Sequence, residues 1–86
     1  MTLEAVELIV RSILEEKYLD EKNITYTDLL SEIGLNSLKA IELIVDLENT
    51  FNFEFEDEMI NYETLRTINS IAQYVYERST ESTTST

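Results

Sequence analysis

Ser37 is the residue whose type and placement could do chemistry. It follows Gly34, the chain's single glycine, and Asn36, and it opens an uninterrupted helix pattern that runs through Glu48. A hydroxyl there stands at the mouth of a helix, where unpaired backbone N–H groups and the positive end of the dipole favour anything anionic. A phosphate attached to Ser37 would be well placed. The hydroxyl cannot activate itself, however. A serine nucleophile needs a base beside it, and this chain has no histidine, no cysteine and three lysines. If Ser37 reacts, another protein supplies the base. The plainer alternative is a serine that caps a helix and does nothing else, and the residue taken alone favours that.

The helix that Ser37 opens carries two apolar stripes. Ala40, Leu43, Ile44, Leu47 and Phe51 recur at offsets of three and four. Leu38, Ile41 and Val45 lie on another side, mixed with Glu42, Asp46 and Glu48. A helix buried all round would show the same pattern, but a chain this short has few other helices to cover both stripes. The second stripe therefore reads as an exposed docking surface rimmed by acids. A further acidic group, Glu54, Glu56, Asp57 and Glu58, lacks the spacing and the turn glycine of a calcium loop, and reads as a solvated face.

The elements that must position Ser37 follow from periodicity and caps. Thr2 is placed to cap a first helix, with Leu3, Val6, Val10, Ile13 and Leu14 on one stripe and Glu15, Glu16 and Lys17 closing it. From Tyr18 to Asn36 the periodicity fails and the composition is that of a loop. Such a loop is too long to float free, so Ile24, Tyr26, Leu29, Leu30 and Ile33 are expected to pin it onto the helices. The second helix spans about Ser37 to Thr50. Phe53 and Phe55 alternate with acids in an extended linker and should tuck into the core. Asp57 can cap a short third helix reaching Ile60 or Asn61, and Thr67 a fourth with Ile68, Ile71, Ala72 and Val75 on its stripe. Tyr62, Tyr74 and Tyr76 are expected at the core or its rim. Residues 1–78 thus form one domain and residues 79–86 an unstructured Ser/Thr-rich tail.

Gly34-Leu35-Asn36-Ser37-Leu38, set in this helix order, length and acidity, resembles the acyl and peptidyl carrier proteins, over about Val6 to Val75. The resemblance implies an all-α four-helix bundle with a long first loop and a short third helix. It implies that Ser37 carries 4′-phosphopantetheine, whose terminal thiol holds acyl or aminoacyl groups as thioesters, so the chain needs no cysteine of its own. It also implies that Asn36, Leu38, Ile41, Glu42, Val45, Asp46 and Glu48 meet partner enzymes. These would be a phosphopantetheinyl transferase, an acyl-loading or adenylating enzyme, and synthase, transferase or tailoring enzymes; the chain itself would be a carrier and not a catalyst. Asn36 stands where the family usually has aspartate, and Lys39 adds a positive charge, which bears on the choice of transferase. The wording of the motif is closer to discrete carriers of polyketide or nonribosomal-peptide pathways than to those of fatty-acid synthesis. The rival from another class is an acidic helical adaptor that binds a basic partner and carries no cofactor.

Eighty-six residues make one small domain, and 43% hydrophobic residues suffice for a modest core. The absence of cysteine excludes disulfides and thiolate metal sites. A net charge of −12 disfavours nucleic acid and anionic membranes as partners. No apolar run approaches a membrane span and no signal-like segment is visible, so the sequence reads as cytoplasmic; a monomer is expected, and Met1 with a single domain reads as a discrete protein, although a domain cut from a larger synthase would look similar. The same charge predicts self-repulsion in the folded state. The thermal midpoint should rise with moderate salt or millimolar divalent cations. Melts at low and moderate ionic strength check this, and an unchanged or lower midpoint removes repulsion as a stability factor.

Overall fold

The computed structural model describes residues 2–84, with side chains described through Ser79. Three α-helices, α1 (Leu3–Ile13), α2 (Ser37–Phe51) and α3 (Ile68–Thr84), surround one apolar core, and no strand occurs among the described residues. The helical-bundle expectation holds. Thr2 caps α1, its Oγ1 accepting the Ala5 N–H at 3.1 Å. Val6, Val10 and Leu14, four residues apart, are buried on the side of α1 that packs against α3, where Ile68, Ile71, Ala72 and Val75 are buried in turn.

The end of α1 departs from expectation. Leu14–Tyr18 form a single π turn, closed by the Leu19 N–H donating to the Leu14 carbonyl at 2.8 Å. This wider turn accompanies the burial of both Tyr18 and Leu19. The Tyr18 hydroxyl donates to Asp46 Oδ2 on α2, and Lys17 Nζ lies 3.4 Å from the same oxygen. Two residues of the π turn therefore hold α2 against the end of α1.

The long loop is pinned by four of the five residues expected; Leu29 is half-buried and is not among those packed against the core. Ile24 and Leu30 are buried, and Tyr26 and Ile33 pack against the core from partly exposed positions. Leu19 and Leu35, at the two ends of the loop, are buried as well. Backbone bonds then fix the loop to the start of α3: Leu30 N–H donates to the Arg66 carbonyl at 2.9 Å, and Asn69 N–H to the Tyr26 carbonyl at 3.0 Å. The Arg11 guanidinium lies over the Tyr26 ring, 5.4 Å from its centroid.

The expected third α-helix is absent. Asp57–Met59 form a single 3₁₀ turn, so the bundle has three α-helices in place of the four expected. Asp57 makes no cap there. The segment offers only Met59 to the core, too little apolar surface to repay helix nucleation over so few residues. Asn61 organises it instead, donating to the Glu58 carbonyl and accepting the Thr64 N–H at 2.6 and 2.9 Å. Phe53 and Phe55 do tuck into the core, with ring centroids 6.3 and 5.0 Å from that of Tyr74. Thr67 caps α3 as expected, its Oγ1 accepting the Ser70 N–H at 3.1 Å while Ser70 Oγ accepts the Thr67 N–H at 3.0 Å. The backbone of α3 then continues to Thr84, past the Ser79 boundary expected for an unstructured tail; no glycine or proline stands there to stop it. Residues 85 and 86 of that tail lie outside the described residues.

The Tyr18–Asp46 contact yields a prediction. Burial first, then the hydrogen bond to Asp46 and the charges of Asp46 and Glu42, push the Tyr18 phenol from 10.0 up to about 12. Folding thus favours the neutral phenol. The stabilisation is whole below about pH 10 and is lost as pH climbs through about 12. Tyr18→Phe should cost about 1 kcal/mol at neutral pH. Its melting midpoint should also fall less steeply than the wild type's between those two pH values. Equal alkaline slopes for the two proteins would show that the contact adds nothing.

Candidate functional site

Ser37 is the first residue of α2, and Asn36 is the residue that caps the helix. Asn36 has extended backbone, and its Oδ1 accepts the Lys39 N–H at 2.9 Å. Its carbonyl accepts the Ala40 N–H at 2.8 Å, the first bond of the helix ladder. Cap chemistry is therefore complete without Ser37. The Ser37 side chain is exposed, and the backbone N–H groups of Ser37 and Leu38 have no acceptor among the described residues. A first turn leaves such donors open by geometry, and their dipoles favour negative charge immediately beside the Ser37 hydroxyl. A phosphodiester on that oxygen fits the position. The plainer expectation, that Ser37 is itself the cap, does not hold.

The approach to Ser37 is set by Gly34 and Leu35. Gly34 has φ +118°, a conformation that side-chain-bearing residues rarely adopt. A Cβ there would meet only Leu19 Cδ2, at 3.6 Å, so the constraint is conformational and not one of space. Leu35 is buried, and its N–H donates to the Leu30 carbonyl at 2.9 Å. The chain thus arrives at Asn36 from a fixed direction.

Beside Ser37 lies an open groove of about 480 Å³ between α2 and the segment after the 3₁₀ turn. Leu35, Ala40 and Ile41 line one side, and Ile60, Tyr62 and Leu65 the other, with Ser37 itself, Ser31, Asn36 and Asn61 as polar groups. No charged side chain lines it. Tyr62, expected at the core or its rim, is 58% exposed at this groove, whereas Tyr74 is buried and Tyr76 half-buried. The far wall was not legible from sequence, because Ile60, Tyr62 and Leu65 follow no helical or strand period.

The two stripes of α2 separate as expected. Leu43, Ile44 and Leu47 are buried, and Ala40 and Phe51 are partly so. Leu38, Ile41 and Val45 are 67%, 59% and 50% exposed. The acidic rim needs correction. Glu42 is exposed, but Asp46 is engaged by Tyr18 and Lys17. Glu48 Oε2 accepts the Phe55 N–H at 2.8 Å and so fastens the linker that leaves α2. Both carboxylates serve the fold first: Asp46 accepts from two side chains of the π turn, and Glu48 satisfies a backbone N–H that regular secondary structure leaves open. Asn52, in the left-handed region at φ 55°, ends α2 where a glycine is more usual.

Comparison with known proteins adds five findings. Residues 4–75 match the family model described as a phosphopantetheine attachment site. The acyl carrier protein of Exiguobacterium sibiricum is 30% identical over 77 residues, covering 87% of this chain and 95% of that protein. The acyl carrier protein of Desulforapulum autotrophicum is 30% identical over 78 residues, covering 87% of this chain and 99% of that one. Among solved structures, a chain of an engineered Bradyrhizobium japonicum glycine:[carrier protein] ligase complexed with a carrier protein from Agrobacterium tumefaciens and ATP superposes with a TM-score of 0.76. The identity there is 25%, with 84% of this chain and 97% of that chain covered. The complex of the B. japonicum ligase with glycylated carrier protein, at TM-score 0.65 and 22% identity over 83% of this chain and 95% of the other, shows the fold alone.

The exposure pattern of α2 gives a paired prediction. Ile41→Ser or Val45→Ser should change stability by no more than about 0.5 kcal/mol, while slowing modification or transfer by partner enzymes several-fold. Leu47→Ala opens a core cavity and should cost about 2–5 kcal/mol. Denaturant melts of the three variants decide it. A loss at Ile41 as large as that at Leu47 would mean that the second stripe is core.

Proposed function

The chain belongs to the phosphopantetheine attachment site family, whose cofactor is covalently attached 4′-phosphopantetheine, and from that premise we propose that Ser37 is the attachment residue of a carrier for acyl or aminoacyl groups. The single observation that carries the reading is the exposed Ser37 hydroxyl at the first position of α2, released from capping by Asn36. The attached group supplies a thiol, on which cargo rides as a thioester. Everything else in the proposal concerns the chain's own residues. The open N–H groups of Ser37 and Leu38 and the helix dipole stabilise the phosphodiester charge. Gly34 and Leu35 hold the serine clear of the loop. The groove lined by Ile41 and Tyr62 would offer an apolar wall beside the attachment residue. The chain offers no histidine or cysteine for chemistry of its own, so modification, loading and transfer fall to partner enzymes.

The partners in this reading are a phosphopantetheinyl transferase, an enzyme that loads the cargo, and the synthase, transferase or tailoring enzymes that consume it. Fold likeness to a chain from a glycine:[carrier protein] ligase complex containing ATP supports an ATP-dependent loading enzyme. The acyl carrier proteins among its relatives support the wider acyl class. A discrete carrier of the polyketide or nonribosomal-peptide type accommodates both. No helix among the described residues is long and apolar enough to cross a membrane, and we place the protein in the cytoplasm, acting as a monomer.

Incubation with coenzyme A, magnesium and a permissive transferase should add one phosphopantetheine mass to the protein. Ser37→Ala should keep its helical spectrum and add none. A wild type that stays unmodified with several such transferases, or a Ser37→Ala variant that still gains the mass, would sink the assignment.

A further inference from the structure

Helix α2 carries Ser37 but is less firmly held than the other two. The main interhelical interface joins α1 to α3, and α2 meets α3 and the π turn through smaller ones. Its buried stripe, Leu43, Ile44 and Leu47, decides which side faces the core. Apolar contact is non-directional, so the stripe alone lets the helix slide or turn a little. A hydrogen bond is directional and resists both. Asp46 receives two such ties, from the Tyr18 hydroxyl and from Lys17 Nζ at 3.4 Å. Tyr18 is buried, and hydrogen bonds to a carboxylate are among the strong ones. The next residue, Leu19, is buried too and backs the other end of the site. Its Cδ2 lies 3.6 Å from where a Cβ on Gly34 would stand. Gly34 shortly precedes Ser37, whereas Asp46 lies about 13 Å beyond it along the helix. Neighbouring residues of one turn thus reach α2 near its start and well along its length.

We infer that the π turn positions the site, with Tyr18 as the positioning residue: it holds α2 at Asp46 while Leu19 backs the chain at Gly34, and so sets where the Ser37 hydroxyl is presented. The inference rests on Ser37 being the attachment residue. The wide turn is a built feature and not a frayed end. It moves the Leu19 N–H from the Glu15 carbonyl, its partner in a regular helix, to that of Leu14. The Glu15 carbonyl accepts Lys22 Nζ instead, and the Glu15 carboxylate accepts the Ile24 N–H at 3.1 Å. Groups that the turn sets free are therefore satisfied. Tyr18 acts only through α2. A reacting atom displaced by about 1 Å can lose two orders of magnitude in rate, so a small freedom of α2 suffices to slow modification without weakening the encounter.

The test follows mass gain of the unmodified chain in a single turnover, with coenzyme A, magnesium and a permissive transferase. Tyr18→Phe keeps the ring in the core and removes only the hydroxyl, so it should fold. Its rate at saturating transferase should fall about five-fold. The transferase concentration giving half that rate should change by less than about two-fold, the signature of an interaction that orients and does not bind. Asp46→Ala should lose about as much rate, and the double variant no more than either alone, since both remove the same bond. Val6→Ala, on the side of α1 that packs against α3, controls for stability and should keep its rate within about two-fold of the wild type. Hydrogen exchange supplies a second readout: α2 amides should exchange about ten-fold faster in Tyr18→Phe, and α3 amides at the wild-type rate. A wild-type rate of mass gain in Tyr18→Phe, an equal loss in Val6→Ala, losses that multiply in the double variant, or exchange that quickens alike in α2 and α3 overturns the inference and leaves Ser37 as the attachment residue. A wild type that gains no mass overturns the attachment reading and this inference together.

Discussion

The position of Ser37 depends on Leu30. Its side chain is fully buried, which contributes roughly 1.5–3 kcal/mol. Its backbone is equally committed. The N–H donates to the Arg66 carbonyl, and the carbonyl accepts from both Ile33 and Leu35. One residue therefore ties the long loop to the start of α3 and also sets the turn that delivers the chain to Asn36. Without such a tie the ordering entropy of a long irregular segment would go uncompensated, and the start of α2 would be held only from its own side. The Asn69–Tyr26 backbone bond adds a second tie to α3, and the Arg11 guanidinium over the Tyr26 ring adds one to α1.

The acidity of the chain is only partly a surface property. Several carboxylates act as acceptors for backbone N–H groups that no helix satisfies: Glu15 for Ile24, Asp28 for Thr25 and Glu48 for Phe55. Each sits where the chain leaves regular structure. In a small domain with a long loop and a linker, side-chain acceptors replace the sheet or helix partners that those amides would otherwise need. This explains how the fold tolerates so many acids, and why counting them along α2 overstates what is available to a partner.

What was legible in the sequence was what repeats. Val6, Val10 and Leu14, and Leu43, Ile44 and Leu47, announce buried stripes because a helix returns to the same side every three or four residues. The caps at Thr2 and Thr67 were legible for a related reason, since each acts within a few residues of itself, whereas the cap of α2 fell to Asn36 and not to Ser37. The misses are matters of long range or short length. Nothing in Leu14–Tyr18 signals a π turn, whose purpose emerges only when Tyr18 meets Asp46 on another helix. The Asp57 segment carries a respectable cap residue, yet three residues with one half-buried Met59 cannot sustain an α-helix against its nucleation cost. The far wall of the groove, Ile60 to Leu65, is assembled by tertiary packing alone.

The separation of cap and hydroxyl by one residue would let a stable helix start also serve the chemistry proposed for Ser37. A serine at the cap position would spend its oxygen accepting an N–H from the third residue of the helix, and modifying that oxygen would unmake the cap. Asn36 takes that duty, with its amide oxygen on the Lys39 N–H. The Ser37 side chain, one step on, takes no part in the cap. Its hydroxyl can therefore gain a bulky anionic group without loss of a native contact. The first turn offers two N–H groups that water alone would otherwise satisfy. A swap of the two residues would keep the composition and the helix, yet place the reactive oxygen inside the cap. The order Asn36-Ser37 thus puts the cap and the exposed hydroxyl on different residues.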